Sequence, residues 1–429
     1  MGLPVCYRAI RVALSLTLLT LFLSGCIGYR QTLEQVGSMA RDGEYQQALK
    51  YLEESRLAAS SKDRLLYLME KGELLNLLGE YRQSHLALQE ADDLTEELVT
   101  RSVSRETLSF IVNDSTIPYR GEDYESVYLN YYKALNFVAL GEFEAAAVEA
   151  RRVDEKLTWY FDLYGGKNSY REDAFLRFLT GLIYEAYGDL GNAQVAYRRS
   201  LNAYRKQHDL YRLTTPHALW KRLLQVSDQL GYRDEHLGYL EQAPAGLNWQ
   251  QEGESLLVVL LDRGQIPPKR EAGLLVPTNR LQPIKVSVPV LGPVVRPYGQ
   301  VEIRLDGMKK MGIETVCNLD AIARRSLEDK QGRILLKEAA RAVAKEALVR
   351  RSEDQFGAAA GAVVRVVSIL TANADLRSWS LLPSRIDMLL LPLRAGAHQV
   401  EVALGSKVVS KQVTVGKGQV AFIHERFFH

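Results

Sequence analysis

Cysteine is scarce in this chain, with three among 429 residues, at positions 6, 26 and 317. That number supplies no disulfide framework, so stability has to come from core burial, which a chain of this length readily provides in two or three domains. Charge of one sign is also missing. Fifty-four basic residues face fifty-two acidic ones, a formal net charge of +2. Such a balance gives no support for nucleic-acid binding or for charge-driven adsorption to membranes. The longest apolar run near the N-terminus, Val12 to Leu23, falls short of the about 20 residues that cross a bilayer.

The usual marks of chemistry are absent too. Seven histidines, at 85, 208, 217, 236, 398, 424 and 429, form no HExxH and no spacing with Cys or acid partners, so no metal site and no cofactor is expected. The string YGGKNS at 164–169 lacks the earlier glycine of a phosphate loop and has Asn where a magnesium-binding hydroxyl belongs; it reads as a helix-ending turn. No G-x-S-x-G elbow occurs. Asp92-Asp93 and Glu96-Glu97 fall on a polar helical stretch and read as a solvated face. Cys317 follows a valine at the end of an expected strand and reads as a buried structural thiol.

What the N-terminus does contain is an export signal. Arg8 and Arg11 precede the apolar run, which closes on Leu23-Ser24-Gly25-Cys26. This tetrad resembles the lipobox of bacterial lipoproteins. The resemblance implies cleavage after residue 25, acylation of Cys26, and a membrane anchor of two or more acyl chains, each methylene contributing about 0.8 kcal/mol. Ile27 in place of Asp points, by the sorting rule for Gram-negative lipoproteins, to the outer membrane, facing the periplasm. Loss of Arg8 and Arg11 would bring the charge from +2 to 0.

From residue 33 to 245 one pattern recurs: a helix, a Gly-acid-aromatic (or Leu) turn, then a small residue. The turn glycines are Gly43, Gly79, Gly141 and Gly188, followed by Tyr45, Tyr81, Phe143 and Leu190, then by Ala48, Ser84, Ala146 and Ala193. Gly72, Ala134 and Gly181 stand seven residues before their turns, and a fainter fifth unit carries Trp220 and Gly231. Glycine ends a helix because it accepts the left-handed conformation, and small residues let paired helices approach closely. These segments resemble tetratricopeptide (TPR) repeats, which implies an array of antiparallel helical hairpins. The turn spacings of 36, 62, 47 and 43 depart from the usual 34, so the array is irregular, with inserted loops.

The longest insertion, read as a loop over 112–123, leads into YLNYYKALNFVALGEFEAAAVEARRVDEK at 128–156. Tyr119, Arg120, Tyr124, Tyr131, Arg151 and Arg152 gather here, and Tyr and Arg are the side chains most often found at interface hot spots. Two readings stay open for them: a partner-binding face, or tyrosines packed between repeats with the arginines on a solvated helix face.

Beyond residue 247 the pattern changes. Leu256 to Leu261 is a buried strand bounded by Pro267-Pro268. Period-two alternation follows at 284–288 and 301–305, with intervening prolines that imply edges or turns. Residues 319–351 are helical, with Leu335, Leu336, Ala339, Ala340, Val343, Ala344, Ala347 and Leu348 as the apolar stripe. Gly357 and Gly361 fit a close-packing motif, and a membrane contact over 357–373 is the alternative. Gly396, Gly405-Ser406 and Gly416-Lys417-Gly418 take hairpin positions in a β-rich end that resembles small β-sandwich modules of envelope proteins.

The expected fold class is therefore α+β and multidomain, an all-α TPR-like helical-hairpin solenoid followed by a mixed α/β region that ends in a small antiparallel β module. The expected boundaries are a signal peptide at 1–25, a lipidated tether at 26–32, the solenoid at 33–245, a mixed domain at 246–375 and the β module at 376–429. The composite resembles TPR-containing outer-membrane lipoproteins of Gram-negative bacteria, a family with no settled activity. YRGEDYESVYLNYYKALNFVALGEFEAAAVEARR and ADLRSWSLLPSRI are its most family-like strings. The resemblance implies a non-catalytic scaffold that binds an envelope protein or peptide. An enzyme acting on the cell wall, with its chemistry in residues 250–429, is the alternative; convergent carboxylates or a His-acid-nucleophile set in one cleft would mark it.

Overall fold

The structure is a computed structural model that describes residues 28–104, 117–166, 170–250, 253–277, 283–294, 299–357, 361 and 374–428. The export signal, Cys26 and most of 357–373 lie outside the described residues.

The N-terminal half consists of helices paired across short turns. They are α1 (Gly28–Arg41) with α2 (Tyr45–Glu54), the short α3 (Arg56–Ala59), α4 (Arg64–Leu77) with α5 (Tyr81–Ser104), α6 (Asp123–Ala139) with α7 (Phe143–Leu163), α8 (Ala174–Tyr187) with α9 (Leu190–Tyr211), and α10 (His217–Gln229) with α11 (Arg233–Gln242). The helix α1 begins inside the stretch read as a tether. All five turn glycines have φ between 70° and 89°, the left-handed region that a side chain disfavours. The small residues before the turns are there because the helices nearly touch. A Cβ at Gly72 would stand 2.4 Å from Leu88 Cδ2, and one at Gly181 would stand 2.2 Å from Tyr197 Cε1. A polar rung links successive hairpins at the same level: Ser84 donates to the Gly72 carbonyl (2.7 Å), Asn136 donates to Ser84 (2.9 Å), and Asn76 donates to Asn136 (2.8 Å).

Among the described residues, the C-terminal half supplies ten strands and one long helix. These are β1 (Ser255–Arg263), β2 (Lys269–Pro277), β3 (Pro283–Leu291), β4 (Val301–Leu305), β5 (Met308–Lys310), β6 (Glu314–Cys317), α12 (Leu319–Phe356), β7 (Arg385–Leu393), β8 (Gly396–Leu404), β9 (Lys407–Val415) and β10 (Val420–Phe427). One sheet has the order β10-β1-β7-β6, a second β5-β4-β8-β9, and β2-β3 is a separate ribbon beside α12.

Strand β1 shows why the layers stack as they do. Its side chains alternate between two cores. Leu256, Val258 and Leu260 face the helices, whereas Leu257, Val259 and Leu261 face the second sheet with Ile303, Leu391 and Val402. The order is thus helices, sheet, sheet, and β1 is covered on both faces, as its unbroken apolar run requires.

Three expectations are revised. Of the three glycine turns in the β-rich end, only Gly405-Ser406 closes a hairpin, between β8 and β9. Gly396 and Gly416-Lys417-Gly418 carry the chain from one sheet to the other, and β10 pairs parallel with β1, Leu256 opposite Val420. The boundary drawn at residue 375 consequently runs through both sheets, which draw strands from each side of it. On α12, Leu335, Ala347 and Leu348 are exposed and Val349 is buried, so the buried face near residue 348 is not the one drawn from the apolar stripe.

Candidate functional site

The strings singled out for their density of Tyr and Arg meet at one place, the seam where the inner face of the hairpins covers the first sheet. Helices α6 and α8 touch β10, and α8 also touches β6. Strand alternation puts Asp262 of β1 and His424 and Arg426 of β10 on the helix side, with Asp262 opposite Arg426 in register.

Asp262 is fully buried and accepts hydrogen bonds from Tyr131 Oη (2.7 Å) and Tyr132 Oη (3.1 Å). His424 Nε2 stands 3.0 Å from its Oδ2. Burial alone would raise the Asp262 pKa, but His424 and Arg426 beside it hold the carboxyl below its ordinary value. The Tyr131 and Tyr132 phenols are pushed well above 10, by burial first and by the facing carboxylates next. An acid and an imidazole do sit together here, yet the hydroxyls beside them are neutral phenols whose protons are committed to carboxylates. This arrangement ties two layers together; it does not prepare a nucleophile.

A second set of contacts fastens the extended segment 374–384, the strap, to the same inner face. The carboxylates of Glu125 and Glu70 accept the backbone N–H groups of Trp379 (2.8 Å) and Ser380 (2.6 Å). Arg377, 1 % exposed, donates to Asp63 Oδ1 (3.0 Å), the Lys62 carbonyl (3.2 Å) and the Ile117 carbonyl (3.0 Å). Its guanidinium lies 5.1 Å from the centre of the Tyr119 ring, and the Trp379 ring meets that of Tyr132 at a tilt, with centres 5.6 Å apart. Lys269 donates to the Arg377 carbonyl and pairs with Glu122.

Burial pushes Glu70 and Glu73 up to about 8. Glu70 Oε2 and Glu73 Oε2 have no hydrogen-bond partner. Glu73 receives Tyr132 Oη at 3.2 Å, and its nearest cation, Arg426, stands 3.7 Å away.

The structure does not bring the six residues singled out from the sequence onto one exposed surface. Tyr119, Tyr124 and Tyr131 are buried, at 5 %, 2 % and 1 % exposure, because the surface they line is already covered by the chain's own strap and sheet. Arg120 and Arg151 are exposed, and Arg152 on α7 is half-exposed and paired with Glu149 (3.1 Å). Asp92, read as part of a solvated face, is buried and bridges Lys133 (2.6 Å) and Lys156. Asp93, Glu96 and Glu97 are exposed as expected. Cys317 is buried with Tyr128 Oη at 3.0 Å, in keeping with a structural thiol. Gly165 and Gly166 do end α7 in a turn.

Sequence reading passed over Glu70, Glu73, Asp262, Arg377 and Arg426. Four of them had a signal: acids three apart within LLYLMEKGELL, an aspartate closing LLVVLL, and polar residues at three successive positions inside FIHERF.

No protein-family model matches the chain, and no curated protein matches it. Several solved structures are similar to it. MamA shares 15 % identity at a TM-score of 0.31, over 48 % of this chain and 90 % of that one. A putative kinesin light chain of Podosopora anserina with nearly identical TPR-like repeats shares 18 % at 0.32, over 50 % and 92 %. BtubC from P. vanneervenii shares 17 % at 0.34, over 55 % and 85 %. Likenesses this distant carry no functional argument, and the TPR-like hairpin architecture stands on this chain's own helices.

Proposed function

We propose that the protein is a non-catalytic scaffold, held at the outer membrane by acyl chains on Cys26, that faces the periplasm and docks an envelope protein on the outer side of its hairpins. The lipobox-like tetrad supports the anchor. The observation that carries the docking side is the occupation of the inner face by the chain's own strap and sheet, which leaves the outer helices for a partner.

Those helices carry apolar side chains at equivalent places. Leu86 and Val148 each stand seven residues past a turn glycine, and they are 68 % and 37 % exposed. Arg151 lies one turn beyond Val148 on the same helix, exposed. An apolar row edged by arginine is the composition of a protein-docking surface.

Photo-crosslinking in intact cells tests the proposal. A crosslinker at Leu86 or Val148 is expected to give the same membrane-fraction adduct, and one at buried Tyr131 to give none. The Cys26→Ser chain is expected to leave the membrane fraction. No adduct from either outer position would end the docking reading, whereas a Cys26→Ser chain that stayed membrane-bound would end the anchor alone.

A further inference from the structure

The strap is held in an unusual way. Extended backbone normally satisfies its N–H groups on carbonyls of a neighbouring strand, yet at Trp379 and Ser380 the acceptors are side-chain carboxyl groups, Glu125 and Glu70, on two different helices. Both carboxyls are buried, and so is Glu73 one turn further along α4.

Every element around this point contributes to the charge balance. Helix α4 brings Glu70 and Glu73; α6 brings Glu125 with the phenols of Tyr131 and Tyr132; β1 brings Asp262; β10 brings His424 and Arg426. At the start of β2 stands Lys269, which Glu122 shares. Arg377 is taken by Asp63 and Asp375. Asp262 has His424 beside it, and Arg426, which donates to the Leu381 carbonyl (2.7 Å), stands 3.7 Å from Glu73. Among the described residues no cation forms a salt bridge with Glu70, and its second oxygen has no hydrogen-bond partner. A neutral carboxyl fits such a place; a carboxylate, stripped of water and unpaired, does not.

We propose that the strap is a proton-dependent clasp: Glu70 and Glu73 in their protonated form keep residues 374–384 seated on the hairpins, and their ionisation lets the strap lift and admit water. Both groups are pushed upward by burial, so the seated state is favoured on the acid side and loosens as alkalinity rises. The strap's N–H contacts to the helices are the two at Glu125 and Glu70; Arg377 and the Trp379 ring add to them, Leu381 and Leu382 continue into the core, and the hairpin α10–α11 lies outside this set of contacts.

Amide hydrogen exchange on the full chain, corrected for the intrinsic base-catalysed rate, reads this directly. Protection at Trp379 and Ser380 is expected to fall about tenfold or more between about pH 6 and about pH 9, with α10–α11 unchanged. In Glu70→Gln/Glu73→Gln the acceptors remain and the ionisation is gone, so protection there is expected to stay constant over the same range. Three results overturn the clasp: flat protection in the wild-type chain, an equal loss in α10–α11, or a loss that persists in the double variant. Should the double variant fail to fold, Glu70→Gln alone is expected to reduce the pH dependence, and an unchanged dependence overturns the clasp equally.

Discussion

Two buried charged clusters flank α6, one on each side, and they solve the same problem in opposite ways. Between α5, α6 and α7, two ammonium groups meet two carboxylates: Lys133 binds Asp92 (2.6 Å) and Glu149 (3.0 Å), and Lys156 binds Asp92 and the Ser126 carbonyl. In the seam on the inner face, Glu70, Glu73, Glu125 and Asp262 share few cations. Burial acts to raise Asp92, Glu70, Glu73, Glu125 and Asp262 alike. It is overridden at Asp92 by Lys156 and Lys133, whose charge holds the acid below its ordinary value, and it wins at Glu70 and Glu73. Counter-charge, more than depth, decides whether a buried acid is ionised.

The comparison is broken most severely at Asp92. Asp92→Ala leaves Lys156 with only a carbonyl, inside the protein and charged. Removing one partner of a buried pair typically costs about 3–5 kcal/mol, because the remaining charge has no compensation. Urea denaturation of this variant is expected to show a loss of that size, with Asp92→Ala/Lys156→Met recovering a large part of it. A loss near zero would mean that water already reaches Lys156.

The seam gives a smaller effect with a pH signature. Glu70 and Glu73 have folded values of about 8 against an ordinary 4.5, so protonation favours the fold. Their contribution is complete below about 4.5, declines as pH rises, and is gone above about 8. Asp92 and Asp262 are shifted the other way, and their contribution is lost as acid protonates them. The stability maximum should therefore lie on the acid side of neutrality, with stability falling from about pH 5 to about pH 8. Denaturation across pH should show Glu73→Gln flattening that alkaline limb. An unchanged limb would place the ionisation elsewhere.

The contrast also marks where the sequence stops being readable. A left-handed turn is a local demand, so the five turn glycines announced the hairpins, and Leu256 to Leu261 announced a strand covered on both faces. Which face of α6 turns inward is not local. Tyr119, Tyr124 and Tyr131 have the composition of a docking surface whether the occupant is another protein or the chain's own sheet. Asp92 read as solvated because Lys133 and Lys156 lie 41 and 64 residues away in sequence. Turn chemistry likewise announces that the chain reverses at Gly416-Lys417-Gly418 without saying that it returns to β1.

The smallest effect belongs to the outer surface. Arg82 and Glu142 link successive hairpins there, with side chains 69 % and 37 % exposed. Water solvates both charges whether or not they meet, and ordering two long side chains offsets the modest Coulomb gain. Arg82→Ala is therefore expected to shift stability by less than about 0.5 kcal/mol, and added salt to reduce even that. The same guanidinium-to-methyl change at Arg222, buried against Glu185, would strand a carboxylate, as at Asp92. If Arg82→Ala proved as costly as Asp92→Ala in the same denaturation series, exposure would not be what separates the outer face from the inner clusters. The outer pairs would then be part of the array's structural core, and a partner could not dock on that face without breaking them.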